Sequence, residues 1–179
     1  MTPALQQASM LYGFHAMARY NLWINERIYV HCEKLSDAER KADRGAFFRS
    51  IHGTLNHLLL GDRLWLGRFL SREFNVGTLA DELYADFAEL RRERATTDAE
   101  ILEWVETLDE RRLAEPLKFR SMVGNRDRSF PLWFAVQHFF NHQTHHRGQV
   151  TTLLVQLGRD PGVTDLAVFV RQHGDGAPR

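Results

Sequence analysis

Four of the nine histidines in this 179-residue chain fall within nine residues: His138, His142, His145 and His146, in the stretch HFFNHQTHHRGQV. His142 and His146 are spaced i and i+4. On a helix that spacing stacks two imidazoles one turn apart on one face, the geometry by which helical histidine pairs bind a single cation. The alternative is a pair of core histidines bonded to backbone, water or carboxylate. Either way, a neutral ring in or beside an apolar stripe needs a partner. With His142 set at zero and about 100° per residue, Leu132, Ala135, Phe139, Val150, Leu153 and Leu157 lie at roughly 20° to 80°. His146 lies near 40°, inside that stripe, and His142 at its border; His138 and His145 lie at about −40° and −60°.

A third ligand would have to come from elsewhere in the chain. His15 and His31 sit near opposite ends of a first helix, and His173 lies close to the C-terminus. His52 and His57 belong to a second helix, with His57 at mid-length, the depth at which a helical bundle builds a site. The main apolar face there carries Ile51, Leu55, Leu58, Trp65 and Phe69, with Asp62 among them. His57 falls roughly 120° from its centre, near Gly61 and Leu64. Periodicity alone does not turn His57 inward.

The elements that must position these rings read as helices. Met10 to Cys32 carries an apolar stripe with Asn21 in it, and Ser36-Asp-Ala-Glu39 is a capping box. A second long helix is expected over Phe47 to Leu70. A third is expected from Asp81 to about Arg112, faltering at Ala95-Thr96-Thr97-Asp98, where Thr97 or Asp98 could cap a separate segment. Glu115-Pro116 stops it. Two short segments around Gly124-Asn125 predict a small hairpin. Pro131 suits a first helical position. The fourth helix runs to Leu157, with Gly158 as its cap and Pro161 beyond. A short last helix spans Asp165 to about Gln172, before a polar, frayed tail from Gly174 to Arg179. The expected fold is all-α: a four-helix bundle with a short hairpin-like segment before the fourth helix and a short C-terminal helix. It forms one domain over residues 1–179, with its core at about 10–172.

Composition narrows the function. Lys plus Arg equals Asp plus Glu, so the net charge is zero, and no helix-turn-helix or basic stripe stands out. Nucleic acid is therefore not an expected partner. Arg91, Arg92 and Arg94 are interrupted by Glu89 and Glu93 and read as a solvated helix face. No apolar run approaches the roughly twenty residues of a membrane span, and no signal peptide is visible in the first fifteen residues. Cys32 is the single cysteine, an ordinary thiol. That fits a reducing cytoplasm, the expected location.

Longer motifs add a family resemblance. Ser50-Ile-His-Gly-Thr-Leu-Asn-His57-Leu-Leu-Leu-Gly-Asp62-Arg63-Leu-Trp65 resembles the second helix of the DinB-like proteins. Asn141-His142-Gln-Thr-His145-His146-Arg147-Gly148-Gln149 resembles their fourth-helix motif, and Tyr20-Asn21-Leu-Trp23-Ile-Asn25 their first helix. Asp160-Pro-Gly-Val-Thr-Asp165-Leu also suits the group, and the likeness runs from about residue 11 to residue 171. The resemblance implies a bundle with up-down-down-up connections, often a homodimer and associated with stress. It also implies one divalent metal ion held by one histidine of the second helix and two of the fourth: His57, His142 and His146.

Three neutral imidazoles leave a divalent ion charged and with an open position, the arrangement of a catalytic site. Zinc and nickel are the first expectations, and iron and cobalt also accept imidazole. Such an ion favours a deprotonated water or thiol near neutral pH. With Cys32 distant, an exogenous low-molecular-weight thiol is the natural soft partner. Relatives of this fold include thiol-dependent S-transferases and a maleylpyruvate isomerase, a fold-level analogy. The expected function is a metal-dependent transferase or hydrolase; the alternative is a non-catalytic metal-binding protein of the stress response. Around the triad, Gln149 at about −20° reaches toward the open side. Asn21 and Asn25 are candidates to bond a ligand, and His145 is a rim residue or a general base. Asp62 would orient an imidazole, or pair with Arg63, Arg68 or Arg147. Trp65 and Trp133 read as core.

Overall fold

The structure is a computed structural model that describes residues 10–174; the tail expected beyond Gly174 lies outside these. Four long helices form the bundle: α1 (Met10–Glu33), α3 (Ile51–Leu70), α4 (Phe87–Glu106) and α6 (Leu132–Gln156). Short helices α2 (Asp37–Lys41), α5 (Glu110–Ala114) and α7 (Leu166–His173) fill the connections and the C-terminal end. Strands β1 (Pro116–Ser121) and β2 (Arg126–Pro131) pair antiparallel before α6, with Leu117 opposite Phe130 and Phe119 opposite Arg128. Gly124 at the tip adopts φ +73°, the left-handed conformation that favours glycine.

Around the bundle the order is α1, α4, α3, α6, each packed on the next and α6 back on α1. Two apolar clusters stack along its axis. One joins the N-terminal half of α1 to the C-terminal halves of α3 and α4 and the N-terminal half of α6, around Phe14, Phe69, Trp104 and Phe139. The other joins the opposite halves, around Ile28, Leu59, Leu90 and Leu154. The helices therefore run up, down, down, up. The chain from Arg72 to Asp86 must travel the length of the bundle to start α4, and on the way it crosses the face of α3.

Between the clusters lies a buried polar layer. Arg94 of α4 pairs with Asp62 at 2.6 Å and with Asp98 at 2.9 Å. Gln143 donates to Asp62 at 2.9 Å, Asn21 and Asn25 donate to Asp98 at 2.7 and 2.9 Å, and Arg147 donates to Asn21. All seven residues are under 5% exposed, so each charge needs its partners.

Several boundaries differ from the sequence reading. α3 begins at Ile51, not Phe47: Arg49 takes φ +66°, and the Ser50 side chain caps the helix by accepting from Gly53 N–H. α4 begins at Phe87 behind the cap Asp86 and runs unbroken through residues 95–98. Thr97 and Asp98 do not cap a second segment there, because Thr97 bonds back to the Glu93 carbonyl and Asp98 is taken up by Arg94. A separate α5 follows, capped by Asp109. Pro131 ends β2 and flanks α6 instead of opening it. Arg94 does not belong to a solvated face, and Trp133 is 39% exposed instead of core. The Ser36–Glu39 capping box forms with both reciprocal bonds.

Candidate metal centre

α3 and α6 bring His57, His142 and His146 together beside the polar layer. One nitrogen from each ring lies within 4.8 Å of the others. His57 Nε2 and His142 Nε2 are 3.2 Å apart. Gly61 permits this approach: a Cβ there would stand 2.9 Å from His142 Cε1, closer than carbon atoms pack.

The second nitrogen of two rings is already occupied. His57 Nδ1 lies 2.7 Å from the Leu79 carbonyl. A carbonyl only accepts, so Nδ1 carries the proton and Nε2 keeps its lone pair. His146 Nδ1 lies 2.8 Å from Gln149 Oε1, with the same consequence. Phe48 stacks on His57 at a centroid distance of 3.7 Å and meets His146 edge-on at 5.5 Å. Burial pushes His57 down to about 4, only partly offset by its bond to Leu79. Burial, then the neighbouring histidines, pushes His142 down to about 3. Burial also lowers His146, against its bond to Gln149. The three rings are thus neutral at pH 7, the state in which imidazole binds a metal.

Two recesses meet at the triad. A cavity of about 330 Å³, walled by α3, α6 and the hairpin, reaches His57 and His142 and is mostly aromatic and aliphatic. On the other side, an open groove of about 490 Å³ lies between Phe47, Phe48, Thr78 to Ala80, His145, His146 and Gln149. Three converging nitrogens with no carboxylate among them leave room for further ligands from either side.

Other predicted residues fall variously. Gln149 touches the triad through His146. His145 is exposed, its ring 4.8 Å from that of His146, and it lines the groove. Asn21 and Asn25 are turned into the polar layer. Asp62 forms an ion pair there, with Arg94 in place of Arg63, Arg68 or Arg147, and neither of its hydrogen bonds is to an imidazole. Cys32 is fully buried at the end of α1, and burial raises its thiol to about 12. Sequence reasoning missed Phe48, the Leu79 carbonyl, and the hairpin as a cavity wall. Gly61, four residues after His57 in a leucine-rich run, was the legible signal of the close approach.

The comparisons with known proteins agree with this architecture. The DinB family profile matches residues 6–176. The chain belongs to the DinB family. It is 26% identical over 164 residues to Protein DinB of Bacillus subtilis (strain 168), an alignment covering 84% of this chain and 90% of that protein. In this DinB-family bundle the three histidines implied by the motifs are the three that meet and that could hold a metal ion. No helix among the described residues is long and apolar enough to cross a membrane.

Proposed function

We propose that His57, His142 and His146 bind one divalent metal ion, zinc or nickel before iron or cobalt, and that the protein is a metal-dependent enzyme of thiol-dependent S-transferase or hydrolase type. The observation that carries this reading is the convergence of three imidazole nitrogens within 4.8 Å, two of them with lone pairs directed by bonds at the opposite ring position. When bound, a divalent cation supplies Lewis acidity, which favours the deprotonated form of a thiol or water at neutral pH. The chain's own residues do the rest. Leu79 and Gln149 fix two tautomers, Phe48 stacks on His57, and the hairpin lines the cavity with apolar side chains. Two recesses meeting at one centre suit two reactants, an electrophile in the hairpin-walled cavity and a low-molecular-weight thiol in the more open groove. Cys32 is too buried and too weakly acidic to serve as that thiol.

Elemental analysis of untagged protein, beside His57→Ala and His142→Ala, is the first test. About one ion per chain is expected, as a single open site requires, with loss in both variants. An ion retained by His57→Ala would remove that residue from the ligand set. Metal-loaded protein is then assayed with thiol–electrophile pairs and with ester and amide substrates. Inertness toward all of them, with a strong fall in Tm on chelation, would leave the non-catalytic metal-binding reading. We further propose a homodimer, on the family resemblance alone; a single-chain mass by light scattering would overturn it.

A further inference from the structure

The hairpin-walled cavity contains a cation that no described residue pairs. On α3, His57, Gly61, Trp65 and Arg68 follow one another along its wall, at spacings that keep them on one face. The Arg68 guanidinium carbon lies 4.5 Å from the Trp65 ring centroid and 4.3 Å from that of Phe119. These rings hold its flat face but offer no oxygen to its N–H edge. Arg63, Arg72 and Arg94 each pair with a carboxylate, whereas no described residue accepts a hydrogen bond from Arg68 or forms an ion pair with it. Burial lowers its guanidinium to about 10, with no neighbouring carboxylate to offset the shift. A half-buried, unpaired guanidinium against aromatic walls is an anion site in waiting.

Geometry sets the size of the partner. Arg68 follows Gly61, the residue facing His142, by seven positions, a rise of about 10 Å along the helix. Helical side chains lean toward the N-terminus, so the guanidinium points back along the cavity toward the histidines. The gap between them suits one aromatic ring or a short branched chain. Phe119, Phe130, Met122 and Leu64 line it with apolar surface, and exposed Arg128 stands at the mouth.

We propose that this cavity binds a small apolar carboxylate, its carboxylate on the N–H fork of Arg68, its aromatic or branched body between the hairpin and α3, and its far end directed at His57 and His142. That the far end is the reacting end rests on the metal-site reading above; the carboxylate site does not. A planar fork matches a carboxylate through two parallel hydrogen bonds, and a neutral analogue would leave the cation unsatisfied.

The test is calorimetric titration with 3-phenylpropanoate and its neutral isostere 3-phenylpropanamide. Wild type, Arg68→Gln and Arg68→Lys are compared, each zinc-loaded and chelator-treated, with thermal melts confirming the fold. In wild type the acid is expected to bind roughly tenfold or more tighter than the amide, with or without zinc. Arg68→Gln should abolish that preference and still bind the amide, and Arg68→Lys should keep part of it. Equal binding of acid and amide to wild type overturns the proposal, and needs no variant to fold. An acid preference that appears only with zinc and survives Arg68→Gln also overturns it, because the carboxylate then sits on the ion. If the protein takes up no zinc at all, the metal-site reading fails while the acid–amide contrast still reports on Arg68.

Discussion

An imidazole binds a cation through one nitrogen and is aimed by what holds the other. For His57 that holder is the Leu79 carbonyl, and for His146 it is Gln149. Gln149→Ala should therefore weaken metal binding by roughly tenfold or somewhat more, as loss of such an orienting partner does, with little change in Tm of the metal-free protein. Competition with a chelator of known affinity measures it. Gly61→Ala should act more severely. Its methyl would occupy the space of the His142 ring edge, so the ring must rotate away from His57. The expected result is a folded protein with sharply reduced metal uptake, and unchanged uptake would show that the ring can give way without leaving the site. At this scale, the pairing of His142 with His146 was legible because i and i+4 share a helix face. His57 was not: α3 is buried on nearly every side, under the other helices and the returning segment before α4, so its main apolar face, from which His57 points away, is not its only inward one.

At the scale of elements, α4 carries the sharpest departure from expectation. Thr-Thr-Asp resembles a cap, and in isolation it would favour one. In the bundle, Asp98 instead receives Asn21 and Asn25 from α1 and Arg94 from the preceding turn of α4, and these partners outweigh local preference. Asp98→Ala should therefore destabilise by about 3–5 kcal/mol, the cost of leaving a buried arginine with a broken network, although residue 98 touches no triad histidine. Denaturant unfolding reads this, and a loss under about 1 kcal/mol would mean that the layer is open to solvent. Ser50→Ala removes the cap of α3 and should cost about 1 kcal/mol. It should also loosen the turn that holds Phe48 against His57.

For the whole molecule, burial of neutral histidines links stability to pH. An unfolded histidine titrates near 6.5, whereas folded His57 and His142 titrate at about 4 and about 3. Between those values and 6.5 these two rings carry more protons in the unfolded chain than in the folded one, so their contribution to stability rises with pH across that window and levels off above it. Tm of the chelator-treated protein should climb between pH 5 and pH 7 (a range chosen to span that window), less steeply in His142→Ala. A flat profile would mean that the rings are more hydrated than their packing indicates. Saturating metal should raise Tm further, by the free energy of binding to the folded chain alone: about 2.7 kcal/mol at a hundredfold excess over Kd.

Local rules carried the sequence a long way. Spacing of three and four identified the long helices, Ser36 to Glu39 the capping box of short α2, Gly124-Asn125 the hairpin, and His142 with His146 a shared face, because each depends on neighbours within a turn or two. Family motifs supplied His57 where periodicity could not. Tertiary structure decided what depends on distant segments meeting: the Leu79 carbonyl on His57, Arg94 as the partner of Asp62, the Arg68 guanidinium set against Trp65 and Phe119, and the hairpin walling a cavity beside the histidines. The Asp62 charge and the His57 ring follow the partners that packing brings to them, and those partners lie some twenty to eighty residues away along the chain.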